Sequence, residues 1–236
     1  ASGQYVTAAN DTINVSTGSM PTGVATATSG LTVIDPSSTD ADVLNATVLG
    51  DWALGSVVSG IETINLTMLV AGTTFNASAT IPGTTTINAL GSQAIPLTGA
   101  ASGTAFGLGA GYTGAFTMTP TTNPVAAHSL NLNGPVGLTG ASPTFGVTGA
   151  SVITALRINA NANSSVNLNT NTSEFGTGTL AGTGNVTIFD TGINFAAANI
   201  TASAPTYTGT LTFRPSAEDN ASDYSATGVV TGLDVI

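Results

Sequence analysis

The chain has no cysteine, only two arginines and no lysine, and a single histidine among its 236 residues. Without cysteine there is neither a disulfide nor a thiolate metal site. The two cations, Arg157 and Arg214, stand against twelve acids, for a net charge of −10. Nucleic-acid binding needs clustered Lys and Arg, so that balance excludes it as a role. Attraction to an anionic membrane surface is excluded on the same ground. Charged residues make up 6% of the chain, against about 25% in ordinary globular proteins. The polar surface must therefore be built from Thr, Ser, Asn and backbone, and a weakly charged surface favours association. No run approaches the roughly 18 apolar residues of a membrane-spanning helix. The chain opens on Ala1-Ser2-Gly3 with no leader, so a processed product or a fragment of a longer protein is expected.

Catalytic chemistry has little to draw on. His128 would have to serve any triad or histidine-based metal site. It follows Pro124 in a Pro/Ala-rich stretch and reads as a loop residue. Aromatic residues are 6% of the chain and Trp52 is the sole tryptophan, an anchor for core or interface more than a sugar platform. A polysaccharide-cleaving groove, the enzymatic alternative, needs paired acids with cations or aromatics to hold its substrate. The chain is read as a non-enzyme.

What is present is a short repeated unit of two apolar residues one position apart, followed by a Gly/Thr/Ser/Asn turn. The pairs are Ile64/Leu66, Phe75/Ala77, Ile87/Ala89, Ile95/Leu97, Phe106/Leu108, Phe116/Met118, Leu130/Leu132, Val136/Leu138, Phe145/Val147, Leu156/Ile158 and Val166/Leu168. Their first members recur about every 10 residues. An apolar residue at every second position marks a short strand with one buried face. Such strands in series predict an all-β array. Two architectures fit: a parallel β-solenoid, with two or three strands per coil of about 20 to 30 residues, or an antiparallel β-sandwich. A solenoid with a small sandwich at one end is a third. The solenoid is favoured. Each unit has only two inward residues, hairpin turn signals are scarce, and Asn recurs beside the pairs (Asn65, Asn76, Asn88, Asn131, Asn133, Asn167, Asn169) as in stacked Asn ladders. Strands are also expected at Tyr5–Val15, Gly30–Ile34, Val43–Leu49, Val186–Phe189, Thr210–Phe213 and Gly228–Ile236. The Ala-rich run Asn194–Ala202 is the one helix candidate. Three segments of one elongated unit result: an acidic cap over 1–60, a β-repeat scaffold over 61–190 and a C-terminal β segment over 191–236.

The acids concentrate at the two ends. Asp35, Asp40, Asp42, Asp51 and Glu62 form the first group. Asp40 and Asp42 flank Ala41, so both carboxylates can point into one loop. Calcium takes six to eight oxygen ligands, which this group can begin to supply. Glu218, Asp219 and Asp223, with Asn220, form a weaker second candidate. Solvated acids keeping a nearly uncharged surface in solution are the plainer alternative for both. Ten Asn-x-Ser/Thr sequons occur, and compositional bias explains them more simply than glycosylation does.

The run Ser38-Thr39-Asp40-Ala41-Asp42-Val43-Leu44-Asn45-Ala46-Thr47, followed by Gly60-Ile61-Glu62-Thr63-Ile64-Asn65-Leu66-Thr67, resembles a module of bacterial surface-layer and RTX-type secreted proteins. The likeness covers about 30 residues. The ending Gly232-Leu233-Asp234-Val235-Ile236 resembles the termini of type I secretion substrates. The resemblance implies a C-terminal assembly domain of solenoid or sandwich form, located outside the cell, building a paracrystalline coat and often carrying calcium. The Gly-Gly-x-Gly-x-Asp repeat of true RTX rolls is absent. The expected function is a structural extracellular protein that self-assembles into a surface lattice or fibre, with a cell-surface glycan anchor in a missing region. An adhesin or passenger-type binding module is the alternative.

Overall fold

A computed structural model describes residues 3–5, 7–15, 32–37, 39–48, 57–70, 75–77, 81–101, 103–119, 128–138, 142–147, 156–169, 177–190, 199–214 and 234–235. The chain is a parallel β-solenoid. Its main wall is a nine-stranded sheet of β2 (Thr12–Val15), β4 (Val43–Val48), β6 (Thr63–Met68), β8 (Thr86–Leu90), β10 (Ala105–Leu108), β12 (His128–Leu132), β14 (Leu156–Ala160), β16 (Thr177–Gly182) and β18 (Asn199–Tyr207), stacked in chain order. A second wall has eight strands: β7 (Phe75–Asn76), β9 (Ile95–Thr98), β11 (Ala115–Thr119), β13 (Thr144–Val147), β15 (Ser164–Asn169), β17 (Val186–Asp190), β19 (Leu211–Arg214) and β20 (Asp234–Val235). A third wall of three strands, β1 (Gly3–Tyr5), β3 (Thr32–Ile34) and β5 (Val57–Ser59), flanks only the first coils. Every described pairing is parallel, so no antiparallel sandwich is present among the described residues. The main wall runs from Thr12 to Tyr207, through all three segments drawn from the sequence.

The repeat of apolar pairs is half a coil. With the exception of Val136/Leu138, successive pairs fall alternately on the main and second walls, so one coil takes two units. Register partners along the main wall, from Ile13 to Leu44 and onward to Ala202, lie between 19 and 31 residues apart. The strands hold register while the arcs between them absorb the difference in length.

One inward rank of the main wall is Ile13, Leu44, Ile64, Ile87, Phe106, Leu130, Ile158 and Leu180; the next is Val15, Ala46, Leu66, Ala89, Leu108, Leu132 and Ala160, and all of these are buried. Facing them from the second wall are Ile95, Phe116, Phe145 and Leu168. Phe106, Phe116 and Phe145 cluster with ring centroids 5.4 to 6.2 Å apart. One expected pair and one expected strand need correction. Val136 is buried but makes only an isolated bridge to Ser164, and Leu138 is 53% exposed. Tyr5–Val15 is not one strand: its ends lie in β1 and β2, in different sheets. The helix candidate also fails over Asn199–Ala202, which belongs to β18; residues 194–198 lie outside the described set.

The outer face of the main wall carries an Asn ladder. The Nδ2 of Asn45 donates to Asn14 Oδ1 at 2.8 Å, Asn65 to Asn45 at 2.7 Å and Asn88 to Asn65 at 2.8 Å. Gly107 holds the next place in that rank. A Cβ there would sit 1.8 Å from Asn88 Oδ1 and 2.8 Å from Asn133 Nδ2. The missing side chain lets Asn133 reach past the gap to Asn88 Oδ1 at 3.2 Å. Beyond it Asn159 donates to Asn131 at 2.6 Å and Asn161 to Asn133 at 3.1 Å. Asn14, Asn45, Asn159 and Asn161 join a ladder that the sequence reading had not included them in. Asn167, which it had, instead donates to the Ser142 carbonyl at 3.0 Å. At the sequons Asn45 and Asn65 the amide nitrogen is already engaged in the ladder. Asn65→Ala removes two ladder bonds and is expected to cost about 1–2 kcal/mol in urea unfolding. A cost under about 0.5 kcal/mol would mean that the ladder adds little beyond the backbone pairing.

Candidate metal centre

Three of the acids singled out in the sequence converge at the corner between the three-stranded sheet and the main wall. Asp35 follows β3, and Asp40 and Asp42 precede β4. One carboxylate oxygen from each lies within 4.8 Å of the other two. The local sequence explains the turn. Pro36 biases Asp35 away from helical backbone. Asp35 Oδ2 then accepts the Ser37 N–H at 2.7 Å, a side-chain-closed turn typical of Asp. Asp35 N–H donates to the Ser59 carbonyl of β5 at 2.9 Å, which fixes the loop on the neighbouring coil. Gly60, at φ +77°, brings the chain from β5 into β6 directly against this loop.

A second set of bonds ties the corner to the coils on either side. Asp11 N–H donates to Asp42 Oδ1 at 2.7 Å, and Asp42 N–H donates to Glu62 Oε2 at 3.0 Å. Asp11, Asp42 and Glu62 each immediately precede a main-wall strand in three successive coils. Each later acid accepts the backbone N–H of its counterpart in the coil before. Asp11 Oδ2 in turn accepts the Thr7 N–H and hydroxyl, both at 2.7 Å, which hold its carboxyl below the usual carboxylate range. Glu62 therefore lies beside the triad as a backbone acceptor, outside the group of three. Asp51, Glu218, Asp219 and Asp223 lie outside the described residues, as does Trp52.

Asp11 was missed in the sequence, although a signal existed. Asp11-Thr12-Ile13-Asn14, Asp42-Val43-Leu44-Asn45, Glu62-Thr63-Ile64-Asn65 and Thr85-Thr86-Ile87-Asn88 are four copies of one phrase. Aligning them places Asp11 over Asp42 and Asp42 over Glu62 before any coordinates are consulted.

The electrostatics of the corner are one-sided. Asp42 is fully buried and Asp35 is 5% exposed. Asp35 Oδ1, both oxygens of Asp40 and Asp42 Oδ2 are buried without a hydrogen-bond partner. Loss of solvent pushes the Asp42 carboxyl above the usual carboxylate range; the Asp11 N–H opposes this, and the charges of Asp40, Asp35 and Asp11 add to it. The only cationic side chains in the sequence belong to β14 and β19. Along the main wall β14 is five strands from β4, roughly 24 Å at the usual inter-strand spacing. Arg157 is exposed there and donates to Asn159 Oδ1 at 2.8 Å.

His128 is not a loop residue. It begins β12, is 2% exposed, and packs on the Phe106 ring at a centroid distance of 5.2 Å. Its Nδ1 lies 2.9 Å from the Thr104 carbonyl, so Nδ1 carries the proton, and Nε2 is buried without a partner. Burial pushes the imidazole below its ordinary value and keeps it neutral. Among the described residues no acid or hydroxyl bonds it, and its ring packs in the core beside Phe106. Comparison with protein-family models, with curated proteins and with solved structures found no match.

Proposed function

We propose that this chain is a structural protein of the cell exterior whose work is association with copies of itself in a lattice or fibre. The observation that carries this reading is the main wall. Nine parallel strands present an outer rank of Thr12, Val43, Thr63, Thr86, Ala105, Ser129, Arg157 and Thr179, with the Asn ladder beside it. That face is repetitive and nearly uncharged. The wall ends in β2 and β18, neither of which contains a lysine, the residue that most often blocks edge-to-edge pairing. A strand from another copy can extend such an edge. The adhesin alternative asks for exposed aromatic side chains, whereas among the described residues Phe106, Tyr112, Phe116, Phe145 and Tyr207 are buried and Phe189 is half-buried. Surface-layer proteins, which the segment 38–67 resembles, suit the same reading.

Sedimentation and negative-stain electron microscopy of the purified chain test it. Ordered sheets or filaments that grow with protein concentration are the expected result. A monodisperse monomer at every concentration, with and without divalent cations, would remove the proposal.

A further inference from the structure

We infer that the corner formed by Asp35, Asp40 and Asp42 is a calcium site that staples the three-stranded sheet to the main wall. Burying a carboxylate without a compensating partner is costly, and burying several together adds their repulsion. Here two buried aspartates and one half-buried aspartate leave four oxygens unpartnered, and one carboxylate oxygen from each residue lies within 4.8 Å of the other two. The other oxygens of Asp35 and Asp42 are already bonded to Ser37 N–H and Asp11 N–H. Asp35 Oδ1 and Asp42 Oδ2 stay buried with no partner. No Lys or Arg approaches among the described residues. A small cation at the corner would offset the shared negative charge and partner the free oxygens.

The donor set is oxygen alone, which selects a hard cation over zinc or copper. Calcium binds oxygen at 2.3–2.6 Å, so two ligands on opposite sides of the ion lie about 4.6–5.2 Å apart. The 4.8 Å spread of the three carboxylate atoms fits inside that shell. Magnesium, at 2.0–2.1 Å with strict octahedral geometry, makes a tighter and more regular demand on the loop. Calcium takes six to eight oxygens, so backbone carbonyls or water would have to fill the places that the three carboxylates leave. The site differs from a surface acidic cluster in what it joins. Asp35 is bonded to β5 through Ser59, while Asp42 is bonded to the coil before it through Asp11 and to the coil after it through Glu62. An ion held here links three successive coils.

The inference does not rest on self-association, and its test is read on the full chain whatever its assembly state. Thermal unfolding is followed in EDTA, in calcium and in magnesium, with calcium affinity measured by calorimetry. Calcium at about a hundredfold over its Kd is expected to raise the midpoint by roughly 5–10 °C over EDTA, with a smaller rise in magnesium. Asp40→Asn is expected to weaken calcium at least about tenfold by removing one ligand charge. Asp42→Asn keeps the shape of the side chain and relieves the repulsion. It is expected to raise the midpoint in EDTA and to abolish the calcium response. Equal midpoints in EDTA and calcium, with no calorimetric binding, would overturn the site. So would an Asp40→Asn variant that binds calcium as the parent does. A response to magnesium as large as to calcium would overturn the assignment of the ion.

Discussion

Phe106→Ala is expected to destabilise the chain by about 3–5 kcal/mol, the largest effect of any single truncation proposed for this molecule. Phe106 is fully buried on β10, in the rank between Ile87 and Leu130. Its ring meets Phe116 edge-on at 5.4 Å and lies 5.8 Å from Phe145 and 5.2 Å from His128. It therefore bridges the two long walls at mid-column. The cavity left by alanine cannot close easily. β10 is held in register by β8 on one side and β12 on the other, so its backbone cannot move inward without breaking two ladders. The loss also exposes one face of His128, whose Nε2 already lacks a partner. Urea unfolding should show the cost as a lower midpoint with little change in slope. A loss below about 1 kcal/mol would mean that the aromatic cluster is loosely packed and that the two walls are held by their arcs.

The second large effect is expected at Gly60. Its φ of +77° lies in the left-handed region, where a side chain costs roughly 1 kcal/mol. A Cβ there would also meet the backbone oxygens of Asp35 at 2.7 Å and Ser37 at 2.9 Å. Both are main-chain atoms of the acidic loop and neither can swing aside. Gly60→Ala should therefore cost more than about 2 kcal/mol, adding strain to conformational cost. It should also displace Asp35 from Asp40 and Asp42. Gly103 provides the comparison: its φ is +83°, and nothing lies within 4 Å of the position of its Cβ. Gly103→Ala should show the conformational cost alone, about 1 kcal/mol. Equal losses at the two positions would mean that the loop over Gly60 yields freely.

The parts of this fold that could be read from the sequence are those fixed by side-chain alternation. Ile64/Leu66, Ile87/Ala89 and Leu130/Leu132 are inward because every second residue of a strand faces one way. Assigning successive pairs to different walls was harder, because the two walls use the same residue types at the same spacing. Leu138 misled because Val136 forms only a single bridge, so no strand continues to turn Leu138 inward. His128 was read as a loop residue because its Pro/Ala-rich surroundings outweighed its position. It stands at the strand period with Leu130 and Leu132, and that alternation placed it inside. The run Asn194–Ala202 suggested helix through propensity, but over its described part, Asn199–Ala202, pairing with β16 decided in favour of strand. At the acidic corner, Asp35, Asp40 and Asp42 were visible as neighbours in sequence. Asp11 was not, because a contact across 31 residues appears only when whole coils are laid over one another.

The Asn ladder has a direction. In every described link the amide nitrogen belongs to the later coil and the accepting oxygen to the earlier one. The amide dipoles thus point the same way along the solenoid and reinforce one another, as they do in other hydrogen-bonded chains. The column is consequently polar, with a donating end and an accepting end. The ladder stops at β14, where Ala181 takes the next place and Arg157 donates to Asn159 Oδ1, so at the β18 edge it is the parallel backbone pairing that a second molecule would prolong, and a head-to-tail approach keeps its sense. Head-to-tail contacts do not close on themselves as a two-fold dimer does; unless their rotation completes a ring, they run on as filaments.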